Sequence, residues 1–134
     1  MDLERIKETL RVAEGFREKM YHDSLGIPTI GYGRNLLGRG INLQEAEAML
    51  ERDVNESVEI AQHIPGYEMW SESQQEAVVE MCFVFGPGIL NKWPNTFHAF
   101  EAGDWEGGIA RIEGSMWMTQ APNRVKRVIE MLRE

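Results

Sequence analysis

The chain has 134 residues, of which 43% are hydrophobic and 27% charged, and its formal net charge at pH 7 is −8. This length suits one domain with a buried core, so the composition excludes a disordered chain. The negative charge disfavours nucleic acid and anionic membrane surfaces as partners, although "RVKR" at 124–127 is a local basic patch.

The first residues, "MDLERIKETLRVAEGF", are charged throughout and lack the apolar stretch of a secretory signal peptide. No apolar run approaches the roughly 18 residues that a membrane span requires. We therefore expect neither a signal peptide nor membrane insertion.

Metal and thiol chemistry are not indicated. Cys82 is the only cysteine, so no disulfide can form within the chain, and a buried small apolar side chain is its commoner role. The three histidines have no metal-ligand spacing with one another or with Cys82. We predict no metal and no cofactor.

The N-terminal third predicts one helix followed by a small sheet. Residues 2–13 have helical periodicity with Asp2 as a plausible N-cap, and Gly15 interrupts them. From Met20 to Ile41 the helical period disappears and five glycines separate short extended runs. This pattern predicts a small antiparallel sheet.

The rest of the chain predicts helices. "NLQE" begins a helix that runs to residue 63, with Asn42 as its cap and Glu45 reaching back to it. A further helix begins near Ser71 or Ser73 and ends at Gly86, and its apolar stretch predicts the most buried helix. Shorter helices are predicted at 95–102, at 104–113 with Asp104 as cap, and after Pro122. The fold class is α+β, mostly α.

Two acids flank the first turn of the predicted sheet region. Hydrolysis of a glycosidic bond needs one protonated and one charged carboxyl group. Glu14 ends a helix beside Phe16, where partial desolvation favours the protonated acid, and Asp23 lies in a polar turn. The chain has 22 acidic residues, however, so spacing alone favours two solvated surface acids.

A longer pattern makes the pair specific. "EGFREKMYHDSLGIPTIGYGRNL" resembles the active-site segment of the phage-type lysozymes, the endolysins of glycoside hydrolase family 24, which runs E-G-x-R-x-x-x-Y-x-D-x-x-G-x-x-T-I-G-x-G. The likeness continues in "QEAEAMLERDV", "MCFVFGPG" and "WMTQAPNRVKRV", and so covers nearly the whole chain. The matching positions of the first segment are Glu14, Gly15, Arg17, Tyr21, Asp23, Gly26, Thr29, Ile30, Gly31 and Gly33.

The resemblance implies a role for several residues. Glu14 would be the general acid, Asp23 would hold or activate the attacking water, and Thr29 would help to position that water. Such enzymes resemble inverting glycosidases, whose carboxyl groups stand roughly 6.5–9.5 Å apart. Arg124, in "PNR", matches the arginine that lies beside the catalytic glutamate of the family.

Further matched positions have less specific roles. Gly31 and Gly33 are either cleft-floor residues or turn-forming glycines, and Tyr32 and Arg34 join them as substrate-binding or supporting candidates. Arg34 stands where the family often has a histidine, so a structural His–Asp pair would be replaced or absent. Trp117 matches a core tryptophan of the family.

The resemblance further implies a muramidase that cuts the β-1,4 bond between N-acetylmuramic acid and N-acetylglucosamine in peptidoglycan. It implies a single lysozyme-like, two-lobed domain over 1–134. Residues 12–41 would form the sheet lobe, 42–63 the connecting helix, and 64–134 with the N-terminal helix the helical lobe. The alternatives are a non-catalytic or regulatory peptidoglycan-binding protein on the same fold, and a chitin- or chitosan-cleaving enzyme.

The same resemblance implies a setting. The protein would be made in the host cytoplasm and would reach the cell wall, on the periplasmic side, through a holin-type partner. Its binding partner would be the glycan strands of peptidoglycan, and it would act as a monomer in phage-driven host lysis. Its acidic charge predicts a salt dependence unlike that of basic lysozymes.

Overall fold

The computed structural model describes all residues, 1–134, and confirms the predicted α+β class with a small sheet near the N-terminus. The chain divides into two compact units, Met1–Ala48 and Met49–Glu134. The helices are α1 (Leu3–Glu14), α2 (Leu43–Gln62), α3 (Glu72–Phe85), α4 (Ile89–Lys92), α5 (Pro94–Glu101), α6 (Trp105–Glu113), α7 (Met116–Gln120) and α8 (Pro122–Leu132). The strands are β1 (Arg17–His22), β2 (Pro28–Gly31) and β3 (Arg34–Asn35), and Tyr67–Met69 and Gly86–Gly88 are short 3-10 helices.

Local capping determines where α1 begins and ends. Asp2 Oδ1 accepts a hydrogen bond from the backbone N–H of Arg5 at 3.0 Å, which confirms Asp2 as the N-cap. Gly15, with φ of 70°, ends the helix. The following strand β1 already begins at Arg17, three residues before the predicted sheet region, because Arg17 pairs with Gly31 across the hairpin.

The sheet has the order β1-β2-β3, and both pairings are antiparallel. Tyr21 lies opposite Thr29 and Arg17 lies opposite Gly31, so β1 uses two more residues than β2 between these pairs. Such a bulge bends a strand locally and is common next to functional sites. The hairpin turn follows directly after His22, which places Asp23 and Thr29 at the same end of the hairpin.

The predicted capping box of α2 is confirmed. The backbone N–H of Glu45 donates to Asn42 Oδ1 at 2.8 Å, and Glu45 Oε1 accepts from the backbone N–H of Asn42 at 3.0 Å. The boundary between the two units, Ala48 and Met49, falls within this helix. The predicted division into sheet lobe, connecting helix and helical lobe stays a prediction.

The core of the unit Met49–Glu134 is built mainly on α3 and α8. A capping box of Ser71 and Gln74 begins α3, which confirms the first of its two predicted start sites. Each of the two helices buries four residues, so the prediction that α3 alone is the most buried was wrong. The reason is that α8 has one strongly apolar face, which is fully covered by its neighbours. Trp117, on α7, is 7% exposed and belongs to this core.

Two short helices of this unit, α4 and α7, were not predicted from the sequence. They have four and five residues, too few for a periodic pattern to be recognised. Each contributes one buried side chain, Ile89 and Trp117, so tertiary packing accounts for both helices. No helix of the protein combines the length and the apolar character that crossing a membrane requires.

Candidate active site

Asp23 closes the turn between β1 and β2 with its own carboxylate. Oδ1 accepts hydrogen bonds from the backbone N–H groups of Leu25 at 2.8 Å and Ile27 at 2.9 Å. The Asp23 N–H donates to the Ile27 carbonyl at 3.0 Å, and the Gly26 N–H donates to the Asp23 carbonyl at 2.9 Å. Both side-chain bonds use Oδ1, so Oδ2 is left as a hydrogen-bond acceptor on a carboxylate whose orientation is fixed.

Thr29 is tied to the same turn. Its side chain is buried, with the residue 4% exposed, and Oγ1 donates to the carbonyl oxygen of Ile27 at 2.8 Å. The hydroxyl proton is therefore engaged, and towards any further group Oγ1 acts as an acceptor. The backbone N–H of Ile27 donates to Asp23, and the backbone carbonyl of Ile27 accepts from Thr29. The hydrogen bonds of this one residue therefore fix the positions of both candidate water-binding side chains relative to each other.

Glu14, the last residue of α1, lies against the backbone of Gly33. A Cβ atom added to Gly33 would stand 2.6 Å from Glu14 Oε2 and 2.9 Å from Glu14 Cδ, closer than real Cβ atoms approach other atoms. Gly33 also has a positive φ of 73°. The position therefore requires glycine both for its backbone conformation and for the approach of the Glu14 carboxylate.

Gly31 requires glycine for a different reason. Its φ is 66°, but a Cβ atom there would meet no other atom within 4 Å. The turn-forming interpretation therefore accounts for Gly31, whereas Gly33 combines a turn conformation with a close approach to Glu14.

The expected shielding of Glu14 by Phe16 is not found. Glu14 is exposed, and Phe16 is itself 61% exposed. The ring of Phe16 instead contacts the ring of Tyr32, with centroids 5.5 Å apart and an interplanar angle of 43°. Tyr32 is 50% exposed, so these two rings form an exposed pair beside Glu14 in the chain.

Arg34 forms a two-pronged ion pair with Glu45 at the N-terminus of α2. Its Nη1 donates to Glu45 Oε1 at 3.1 Å and its Nη2 donates to Oε2 at 2.6 Å. Nη1 also donates to the carbonyl of Gly40 at 3.2 Å. The pair thus closes the short connection between β3 and α2, at the residue where a His–Asp pair was expected to be replaced or absent.

The charge of Glu45 is stabilised by its neighbours. The backbone N–H of Asn42, acting first, and the guanidinium of Arg34 lower the pKa of Glu45 below its ordinary value, against the opposing effect of partial burial. The Arg34 and Glu45 side chains are 33% and 34% exposed. Arg34 is directed to α2 by these bonds, which gives it a supporting place in the unit.

Arg124 lies on α8, in the other unit, and pairs with Glu80 of α3. Its Nε donates to Glu80 Oε2 at 2.9 Å, and Arg127 binds both carboxylate oxygens at 2.8 and 2.6 Å. The hydrogen bonds of Arg127, and then those of Arg124, lower the pKa of Glu80. The sequence does not indicate Glu80 as the partner of Arg124, and the predicted place of Arg124 beside Glu14 stays a prediction.

Other reactive groups do not gather into a second centre. No group of three or more His, Cys, Asp or Glu side chains is arranged to hold a metal ion. Cys82 is 1% exposed, and burial raises the pKa of its thiol to about 12. A thiol with so high a pKa is not a nucleophile at neutral pH.

A sequence model described as "Phage lysozyme" matches residues 11–132 of this chain. The chain belongs to the phage lysozyme family. It is similar to the pre-baseplate central spike protein Gp5 of Enterobacteria phage T4, with 31% identity over 152 positions that include 92% of this chain. It is also similar to probable T4-type lysozymes 1 and 2 of Dictyostelium discoideum, with 24% and 22% identity over 95% and 94% of this chain.

These relatives differ in how much of their own length is matched. The chain spans 26% of the spike protein and 92% of each of the two probable lysozymes. The alignment with the spike protein has more positions than this chain has residues, so the chain lacks residues present in the matched segment. Membership of this family of lysozymes supports a muramidase-like function for the chain.

Proposed function

We propose that the protein is an inverting muramidase that hydrolyses the β-1,4 bond between N-acetylmuramic acid and N-acetylglucosamine in peptidoglycan. The observation that carries the proposal is the frame around Ile27, which holds Asp23 and Thr29 together with acceptor atoms left over on both. Glu14 lies in the same unit, on Gly33.

In the proposed mechanism, one water molecule binds to both acceptors. Asp23 Oδ2 accepts one hydrogen of the water and Thr29 Oγ1 accepts the other, which leaves an oxygen lone pair for the sugar. As that oxygen bonds to the anomeric carbon, Asp23 takes the proton, and Glu14 gives its proton to the departing glycosidic oxygen. The bond breaks with inversion, and the protein returns to its starting protonation state after one proton exchange with solvent.

The first prediction tests these roles on purified peptidoglycan. Glu14→Gln removes the proton donor and Asp23→Asn removes the base, so each should lower the rate of reducing-sugar release by roughly 10²–10⁴-fold. The matched control is Glu18→Gln, which neutralises an exposed acid of β1 that makes no ion pair and should leave the rate unchanged. Proton NMR of the first product should show the α anomer.

Each contrary result has a distinct meaning. A Glu14→Gln protein that keeps more than a few per cent of the activity would remove the general-acid assignment. A β anomer as first product would replace inversion by retention. If the unaltered protein binds peptidoglycan but releases no sugar, the non-catalytic alternative takes the place of the enzyme.

The proposed setting rests on the family. We propose that the substrate partner is the glycan strand of the bacterial wall, that the protein acts as a monomer, and that a holin-type partner gives it access to the wall during host lysis. The relative in phage T4 is, by its name, a central spike protein of a pre-baseplate. The two probable lysozymes are instead matched over 92% of their length.

A further inference from the structure

Phe16 and Tyr32 form a patch of two aromatic rings on the surface of the unit Met1–Ala48. The rings lie against each other at 5.5 Å between centroids, yet the residues remain 61% and 50% exposed. Phe16 follows Glu14 by two residues, and Tyr32 precedes Gly33, on which the Glu14 carboxylate lies. Each ring therefore belongs to a residue within two positions, along the chain, of Glu14 or of the glycine on which its carboxylate lies.

Packing within this unit does not account for the two rings. Neither is buried, and the Tyr32 hydroxyl makes no hydrogen bond within the protein. The turn at 31–33 depends on the positive φ of Gly31 and Gly33. The conformation of the turn therefore does not require an aromatic side chain at position 32, where a polar residue would serve equally well. Exposed apolar residues are common in this unit, and what distinguishes Phe16 and Tyr32 is that their rings contact each other and that they stand next to Glu14 and Gly33 in the chain.

We propose that this aromatic patch binds a pyranose ring of the glycan strand next to the bond that is cut. One face of a pyranose ring is lined by C–H groups, which lie flat on an aromatic ring and are removed from water there. The Tyr32 hydroxyl offers a donor and an acceptor for the hydroxyl or acetamido groups at the edge of the sugar.

The charge of the patch fits the same ligand. The two rings carry no charge, so the packing of the C–H face of a sugar on them does not itself depend on the net charge of −8. The identity of the sugar as a hexosamine of peptidoglycan rests on the proposed function, whereas the binding of a pyranose ring rests on the patch itself.

The second prediction separates binding from chemistry. With soluble oligosaccharides of alternating N-acetylglucosamine and N-acetylmuramic acid, Tyr32→Ala and Phe16→Ala should each raise KM roughly tenfold, because each removes an apolar ring on which the sugar packs. The turnover number should stay within about twofold, because the rings hold substrate and transition state equally. Tyr32→Phe keeps the ring and should restore KM to within about threefold of the original.

Leu37→Ala is the matched control, since Leu37 is a 79% exposed apolar residue of the same unit outside the patch, and its KM should not change. Circular dichroism and thermal unfolding establish that each variant is folded. Unchanged KM in both alanine variants would overturn the proposal. So would a dimer of the unaltered protein in sedimentation that Tyr32→Ala dissociates, because a second copy would then cover the patch.

A binding experiment distinguishes this proposal from the proposed function. Titration calorimetry with chitohexaose and with the muramyl oligosaccharide is carried out on the Glu14→Gln protein and on the same protein with Tyr32→Ala. A tenfold weaker dissociation constant in the second protein supports the patch even if the unaltered protein hydrolyses nothing. Equal dissociation constants overturn the patch even if hydrolysis is normal.

Discussion

At the scale of single residues, Gly33 determines where the carboxylate of Glu14 can lie. The third prediction is that Gly33→Ala lowers the free energy of unfolding by about 1 kcal/mol, because φ is 73° there. It should also lower kcat at least about tenfold, because the new Cβ would stand 2.6 Å from Glu14 Oε2 and displace the acid. Urea unfolding and reducing-sugar release measure the two effects.

The control for this substitution is Gly103→Ala. Gly103 has φ of 80°, but a Cβ atom there meets nothing within 4 Å. The Gly103→Ala protein should show the same loss of stability as Gly33→Ala, but its kcat should be unchanged. If kcat fell equally in the two variants, backbone strain would explain the loss and the approach of Glu14 would have no part in it.

The candidate catalytic residues could be named from the sequence, but their contacts could not. Glu14, Asp23 and Thr29 stand at fixed spacings in a motif, and spacing is visible in a single sequence. The approach of Glu14 to Gly33 depends on the path of the chain through the sheet. The bond from Thr29 to the Ile27 carbonyl depends on the turn geometry, which the spacing does not specify.

At the scale of elements, the start of α2 is tied to β3 by Arg34 and Glu45. Because the pKa of Glu45 is lowered in the folded protein, its carboxylate stabilises the fold at pH values above the unfolded-state pKa of roughly 4.3. This contribution is lost as the pH falls through the lower value of the folded state. The fourth prediction is that Glu45→Gln lowers the urea midpoint at pH 7, and that this difference shrinks as the pH falls through the lowered pKa of Glu45.

Glutamine at position 45 still accepts the Asn42 N–H, so the substitution removes the charge and keeps the cap. The control is Glu56→Gln on the same helix, whose pair with Arg52 is exposed and should contribute little. A difference between wild type and Glu45→Gln that stays constant as the pH is lowered would show that the loss comes from packing and not from the ion pair.

Elements with a strong local signal were predictable from the sequence, and elements that depend on packing were not. The caps Asp2, Asn42, Ser71 and Asp104 each bond a backbone N–H within the next three residues, so the sequence near the cap is sufficient. In contrast, Glu45 was interpretable only as part of a cap, because its partner Arg34 lies eleven residues earlier and on another element.

At the scale of the whole molecule, the three arginines near the C-terminus form ion pairs with acids. Arg124 and Arg127 of the "RVKR" patch both bind Glu80. Arg133 lies within ion-pair distance of Glu106 and Glu113. Both arginines of the patch share the single carboxylate of Glu80, and Lys126 forms no ion pair, so the patch stays locally basic within a molecule whose net charge is −8.

The fifth prediction follows from this charge and concerns the rate on intact peptidoglycan carrying anionic wall polymer. Since enzyme and wall have the same sign, added salt should screen their repulsion and raise the rate between about 0.01 and 0.15 M ionic strength, as the Debye length falls from roughly 30 to 8 Å. A cationic lysozyme, attracted to the same wall, loses rate over this range.

An uncharged chitin oligosaccharide serves as the control substrate, because its encounter with the protein involves no net charge and its binding should be insensitive to salt. The comparison thus assigns any salt effect to the approach to the wall, not to the chemistry at Glu14 and Asp23. A steep fall in the rate on intact wall would mean that a local positive surface dominates association despite the ion pairs of Glu80.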